Sequence, residues 1–132
     1  MLPLILVVDD ERTIADTLTL ILRHNGYRAD AAYSGEEAIA YVSRNTPDLV
    51  VSDVVMPGMN GFELASSIRQ EYPSKVLLIS GNATTFDMIR DGCLKAQAIP
   101  LLPKPIHPAD LLREVAKVLA SASSDIRGKT VA

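Results

Sequence analysis

Apolar positions along the chain switch repeatedly between two periodicities. Leu4–Val8 (LILVV) is uniformly apolar, the pattern of a strand buried on both faces, as in a parallel sheet. Directly after it, Ile14, Leu18, Ile21 and Leu22 recur at i, i+4, i+7 and i+8, one stripe of a helix. Asn25-Gly26 stops that helix. The exchange then repeats. Tyr27–Ala32 is a more polar second strand, suited to a sheet edge. Ser34 and Glu37 have capping-box spacing and open a helix carrying Ala38, Ile39 and Val42, which ends by Pro47. Leu49–Ser52 is a third buried strand, finishing at Asp53. The Met56–Met59 loop leads to a second capping box, Asn60 with Glu63, and a helix carrying Leu64 and Ile68. Val76–Ile79 is a fourth strand, ending at Ser80-Gly81. A fourth helix is expected over Thr84–Leu94, although Gly92 interrupts its pattern. Ile99–Leu102 is a fifth strand, whose Pro100 and Pro103 suit an edge. Pro108 opens a last helix with Leu111, Leu112, Val115, Val118 and Leu119 on its apolar face.

Five strands alternating with helices predict an α/β fold, a doubly wound parallel sheet with five flanking helices. Right-handed crossovers place all strand C-termini along one edge, where ligands bind in such sheets.

Composition narrows the function. The 132 residues are about one domain's worth. The expected division is a domain over 1–120 and a Ser-rich flexible tail over 121–132. Thirteen Lys and Arg against 16 Asp and Glu give a net charge of −3, which offers no broad basic face for nucleic acid. One cysteine, Cys93, excludes a disulfide framework and a multi-cysteine zinc site. It reads as a packing residue. His24 and His107 read as surface residues, with no partner at metal-binding spacing. No run approaches the roughly 20 apolar residues of a membrane span. Leu2–Val8 lacks the basic start of a signal peptide, so a cytoplasmic location is expected.

The predicted strand ends carry the chemistry. The first ends in Asp9-Asp10, the third in Asp53, the fourth in Ser80 and the fifth in Lys104-Pro105. Three converging carboxylates repel one another, and a divalent cation relieves the conflict. Oxygen ligands favour Mg2+ over zinc. An aspartate can act as the nucleophile in phosphoryl transfer, with a cation and a lysine neutralising the spread charge.

These motifs resemble the receiver domain of bacterial two-component response regulators. VVDDE (Val7–Glu11), DVVMPGMNG (Asp53–Gly61), LLIS-G (Leu77–Gly81) and Lys104-Pro105 occur in the family's order and spacing, over about Leu4 to Leu119. The resemblance implies a flavodoxin-like strand order 2-1-3-4-5. It implies that Asp53 accepts a phosphoryl group from a histidine kinase or phosphotransfer protein. Asp10 would bind Mg2+ directly, Asp9 through water, and Val55 would contribute its backbone carbonyl. Ser80 would be the switch hydroxyl and Lys104 its partner, with a cis bond before Pro105. The implied protein is a signalling switch acting on a downstream effector protein, a monomer or a phosphorylation-dependent dimer, with no direct nucleic-acid or membrane contact. Its catalysis is confined to its own phosphorylation and dephosphorylation.

Several positions depart from the family pattern. Leu101 stands where an aromatic usually couples the switch hydroxyl to the output surface. Gln97-Ala98 replaces a common Gly-Ala pair, and Gly81 a common Ala, which would loosen the loop after Ser80. These departures leave the phosphorylation chemistry intact and point to altered readout. They also keep open an alternative, a receiver-fold protein-interaction module that works without phosphorylation. A P-loop NTPase or a dinucleotide enzyme lacks its glycine motif here. A haloacid-dehalogenase-like phosphatase lacks an Asp at Val55. No output domain fits after the receiver, so the chain is expected to be either a stand-alone regulator or a piece of a longer one.

Overall fold

The computed structural model describes residues 2–81 and 99–121. In chain order the elements are β1 (Leu4–Val8), α1 (Arg12–His24), β2 (Arg28–Ala32), α2 (Gly35–Asn45), β3 (Leu49–Asp53), α3 (Gly61–Glu71), β4 (Lys75–Ser80), β5 (Leu101–Pro103) and α4 (Pro108–Ala120). The strands form one parallel sheet in the order β2-β1-β3-β4-β5, as the resemblance implied. Four helices flank it among the described residues. The helix expected over Thr84–Leu94, with Cys93, lies outside them, as does the expected tail beyond Ser121.

The uniform apolar strands follow from burial on both faces. Side chains alternate across a strand, so Ile5 and Val7, Val51, Leu77 and Ile79 face one helical layer, made by α1 and α4. Leu6, Val8, Val50, Val76 and Leu78 face the other, made by α2 and α3. The helical stripes meet these faces: Leu18 and Leu22 from α1, with Leu111, Val115 and Val118 from α4, on the first. Ala38 and Val42 from α2, with Leu64, Ala65 and Ile68 from α3, lie on the second. The outer strand β2 is held between helices by side chains. Tyr41 donates to Asp30 (2.6 Å), which also pairs with Arg23 (3.1 Å), while the Arg23 Nε donates to the Ala29 carbonyl.

The α3 capping box is complete. Asn60 Oδ1 accepts from the Glu63 N–H and Glu63 Oε1 accepts from the Asn60 N–H, both at 2.9 Å. Replacing Asn60 with Ala removes one of these partners and should cost about 1 kcal/mol, read from the urea midpoint at constant slope. The α2 box departs from expectation. Ser34 does cap the Glu37 N–H (3.1 Å), but the Glu37 carboxylate accepts from the Tyr33 N–H, one residue earlier. β5 also starts two residues later than predicted. Pro100 has no N–H and gives the ladder only its carbonyl, which accepts from the Leu78 N–H (2.9 Å). Pro103 is tolerated because β5 is an outer strand. At the opposite end of the strands Lys75 caps the last helix, donating to the carbonyls of Val118, Leu119 and Ser121.

Candidate functional site

The parallel register brings the predicted residues to one sheet edge. Val8 pairs with Ser52, so Asp9 and Asp53 leave adjacent strands side by side. Asp53 pairs with Ile79, one residue before Ser80, and Ser80 pairs with Pro103, one residue before Lys104. The Lys104 N–H donates to the Ser80 carbonyl (3.0 Å), extending that pairing past the strand. The Lys104-Pro105 bond is cis. Ser80, Asp9 and Asp53 are buried, whereas Asp10 is exposed.

Each carboxylate has a defined setting. Asp9 Oδ1 accepts from the Glu11 N–H (2.9 Å), which fixes its plane at the entry to α1. Its other oxygen lies 3.6 Å from Lys104 Nζ, and Asp53 Oδ1 lies 3.3 Å from the same nitrogen. Asp9, Asp10 and Asp53 each present an oxygen, and these oxygens lie within 4.8 Å of one another. Burial pushes the Asp9 carboxyl above the ordinary carboxylate range, against the Glu11 N–H and Lys104. Burial also pushes Asp53 up, reinforced by the charge of Asp9 and opposed by Lys104. Burial alone would lower Lys104, but Asp53 and Asp9 together outweigh it and raise that group. One ammonium is thus shared by two partly desolvated carboxylates, with Asp10 beside them, and the cluster carries excess negative charge.

This donor set fits a hard divalent cation. It is all oxygen, crowded, partly shielded from water, and open at the exposed Asp10. Lys104 and a cation would share the same two carboxylates. Replacing Lys104 with Met should therefore raise divalent-cation affinity, measured calorimetrically with Mg2+. The same change leaves two carboxylates without their partner and should lower metal-free stability by about 1–3 kcal/mol.

The loop after Asp53 is built around backbone proximity. Val54 and Met56 are buried in the α2–α3 layer while Val55 between them points outward, 57% exposed. Any contribution from Val55 is then left to its main chain. Gly61 seats α3 on the end of β3: its N–H donates to the Val54 carbonyl (2.8 Å). A Cβ there would fall on the Asp53 carbonyl oxygen and 2.8 Å from Val54 Cα. In sequence Gly61 was legible as the last residue of the Asp53–Gly61 motif and as a helix-opening residue, not as the seat of this contact. Gly81 has a similar part, since a Cβ on it would stand 3.2 Å from Lys104 Cβ. Its missing methyl makes room for the lysine stem. Leu101 is half-buried at the start of β5, pairs with Leu78, and packs on the α2–α3 core layer. His24 and His107 are both exposed at helix ends, as expected.

Comparison with known proteins gives a consistent picture. A family model described as the response regulator receiver domain matches residues 5–116. The regulatory protein VanRc of Enterococcus gallinarum is 35% identical over 111 residues, covering 84% of this chain and 47% of that protein. The chain thus spans about half the length of this relative. The solved chemotaxis protein CheY4 of Vibrio cholerae superposes with a TM-score of 0.78 at 28% identity, covering 89% of this chain and 99% of that one. A CheY-like response regulator receiver domain protein from Methanospirillum hungatei gives 0.78 at 26% identity, covering 96% and 99%.

Proposed function

Because the chain belongs to the response regulator receiver domain family and so to two-component signalling, we propose that it is a phosphorylation-dependent switch that accepts a phosphoryl group on Asp53. The observation that carries this reading is the placement of Lys104 Nζ between Asp9 and Asp53, at 3.6 and 3.3 Å, with an Asp10 oxygen in the same cluster. Asp9, Asp10, Asp53 and the Val55 backbone carbonyl would hold Mg2+. That ion, when bound, supplies neutralising charge and a ligand position for a phosphoryl oxygen.

The chain's own groups account for the rest. An Asp53 oxygen attacks phosphorus in line, the bond from phosphorus to the donor breaks, and the donor leaves with the electron pair. Lys104 already contacts this carboxylate and compensates charge on the transferred group. Ser80, buried at the adjacent strand end, supplies a hydroxyl donor to the phosphorylated form. Water then attacks the phosphorus, the bond from phosphorus to the Asp53 oxygen breaks, and inorganic phosphate leaves, returning Asp53 to its free carboxylate. These steps act on the protein itself, which is a switch and not an enzyme with a separate substrate. The donor is a histidine kinase or phosphotransfer protein and the reader a downstream effector protein. Binding of that reader to one of two forms shifts their populations.

The half-buried Leu101 has no ring or phenol to exchange between environments. Transmission from Ser80 therefore differs from readout by an aromatic rotamer at this position. The proposed place of action is the cytoplasm. No helix among the described residues is long and apolar enough to cross a membrane.

The test is incubation with a small-molecule phosphodonor, with and without Mg2+, followed by intact-mass spectrometry. One added phosphoryl group is expected with Mg2+ and none without it. Absence of an adduct with every donor tried would favour the phosphorylation-independent interaction module instead.

A further inference from the structure

The loop that follows Asp53 rests on a helix that contributes none of the site's charged groups. The Met59 side chain lies across Gly35, the first residue of α2. A Cβ built on Gly35 would stand 2.8 Å from Met59 Cβ and 2.9 Å from both its Cγ and Sδ. All three distances are shorter than real side chains tolerate, and the closest is to the root of the methionine, next to its backbone. Rotating the thioether away would not clear it. The first turn of α2 or the loop backbone would have to move.

That backbone has little room. At one end Val54 and Met56 are buried in the core. At the other, Gly61 is bonded to the Val54 carbonyl and Asn60 is locked in its capping box with Glu63. A push on Met59 is therefore taken up by the short segment between these anchors, residues 57–59, and reaches the Val55 carbonyl only through the peptide bond that joins it to Met56. Gly35 has no left-handed backbone to protect, since the positive-φ glycines among the described residues are Gly26 and Gly58. The three atoms nearest to a Cβ at this position all belong to Met59.

We propose that Gly35 is a positioning residue for the phosphoryl-acceptor site, acting through Met59 on the loop that presents the Val55 carbonyl. The inference rests on the reading of that loop as part of a Mg2+ site, and it concerns a contact between α2 and the loop that this reading does not use.

Helix propensity and contact geometry predict opposite results for Gly35→Ala. Alanine in place of glycine ordinarily stabilises a helix. The contact instead predicts displacement of the loop. The test is a cycle of the wild type, Gly35→Ala, Met59→Gly and the double variant. Glycine is the replacement at position 59 because it removes the Cβ as well as the rest of the methionine. Mg2+ affinity is followed by calorimetry, and the backbone amide resonances of residues 54–56 and 58–60 are followed in metal-free protein. Gly35→Ala should weaken Mg2+ binding by about tenfold to a hundredfold, as other supports behind a metal ligand do. It should also shift those amides. The double variant, in which the space over α2 is clear, should bring both back to near the Met59→Gly values. Affinity and amides unchanged in Gly35→Ala would overturn the proposal, as would losses that Met59→Gly fails to relieve. The amide readout keeps the two readings separate. If the wild type binds no Mg2+, the metal-site reading fails, and the Gly35 coupling still stands or falls on the metal-free amides.

Discussion

Asp53→Asn is expected to abolish phosphoryl acceptance while making the metal-free fold more stable. The first effect is chemical. An amide lacks the anionic oxygen proposed to attack phosphorus, so the adduct expected in mass spectrometry should be absent from this variant. The second follows from electrostatics. Burial and the neighbouring Asp9 push the Asp53 carboxyl upward, so the native fold disfavours its charged form relative to the unfolded chain. A raised native value means the group's contribution is fully present below the unfolded value and lost as pH rises through the native one. Metal-free stability should therefore increase as pH is lowered through the raised Asp53 value toward the unfolded value of 3.8, Asp9 contributing in the same direction. Lys104 is also raised, but from 10.5, so it stays charged through this window and adds no slope. Asp53→Asn removes one source of the slope and should raise the melting temperature at neutral pH. A variant that loses acceptance and also unfolds would show that Asp53 is structural. One that keeps acceptance would place the phosphoryl group elsewhere.

Gly61→Ala should have the larger effect on stability. The added methyl meets main chain on two sides, the Asp53 carbonyl oxygen and Val54 Cα. Neither can rotate aside as a side-chain tip could. Relief requires lifting α3 from the end of β3, which breaks the Gly61 to Val54 hydrogen bond and loosens Leu64 and Ala65, both fully buried. Overpacking of this kind costs about 1–3 kcal/mol, and the lost buried hydrogen bond adds about 1 kcal/mol more. Urea denaturation monitored by circular dichroism measures this, since the protein has no tryptophan. The surviving folded fraction should accept phosphoryl groups slowly, because Asp53 itself has moved. Wild-type stability in this variant would mean that α3 can shift freely over the strand end.

How far these properties were legible in the sequence depended on the range of the forces involved. Strands buried on both faces announce themselves, because Leu4–Val8 and Leu49–Ser52 have almost no polar face to offer. Their C-terminal polar residues mark where each strand leaves the core, which is why Asp9, Asp53, Ser80 and Lys104 could be assembled from the sequence. The Asn60–Glu63 box was equally plain, being set by spacing alone. Contacts that depend on the meeting of distant segments were not legible. Lys75 capping α4 joins residues more than 40 positions apart. Gly35 beneath Met59 and Gly61 beneath Asp53 are glycines whose local pattern marks a helix start, and for Gly61 the end of a motif, without showing what either one packs against. Glu37 turning to Tyr33 depends on the path the chain takes out of β2. Pro100 and Pro103 signalled an outer strand, but not that β5 would shrink to Leu101–Pro103.

A crystal structure with Mg2+ and beryllofluoride, a stable mimic of the phosphoryl group, would interrogate every group in the site at once. The expected result is beryllium on an Asp53 oxygen and Mg2+ among Asp9, Asp10, Asp53 and the Val55 carbonyl. Lys104 Nζ should have released Asp9 to contact a fluoride, and the Ser80 hydroxyl should donate to another. Beryllofluoride absent from Asp53, or bound there with Lys104 still bridging Asp9 and Asp53, would contradict the assignment of this cluster as a phosphoryl acceptor.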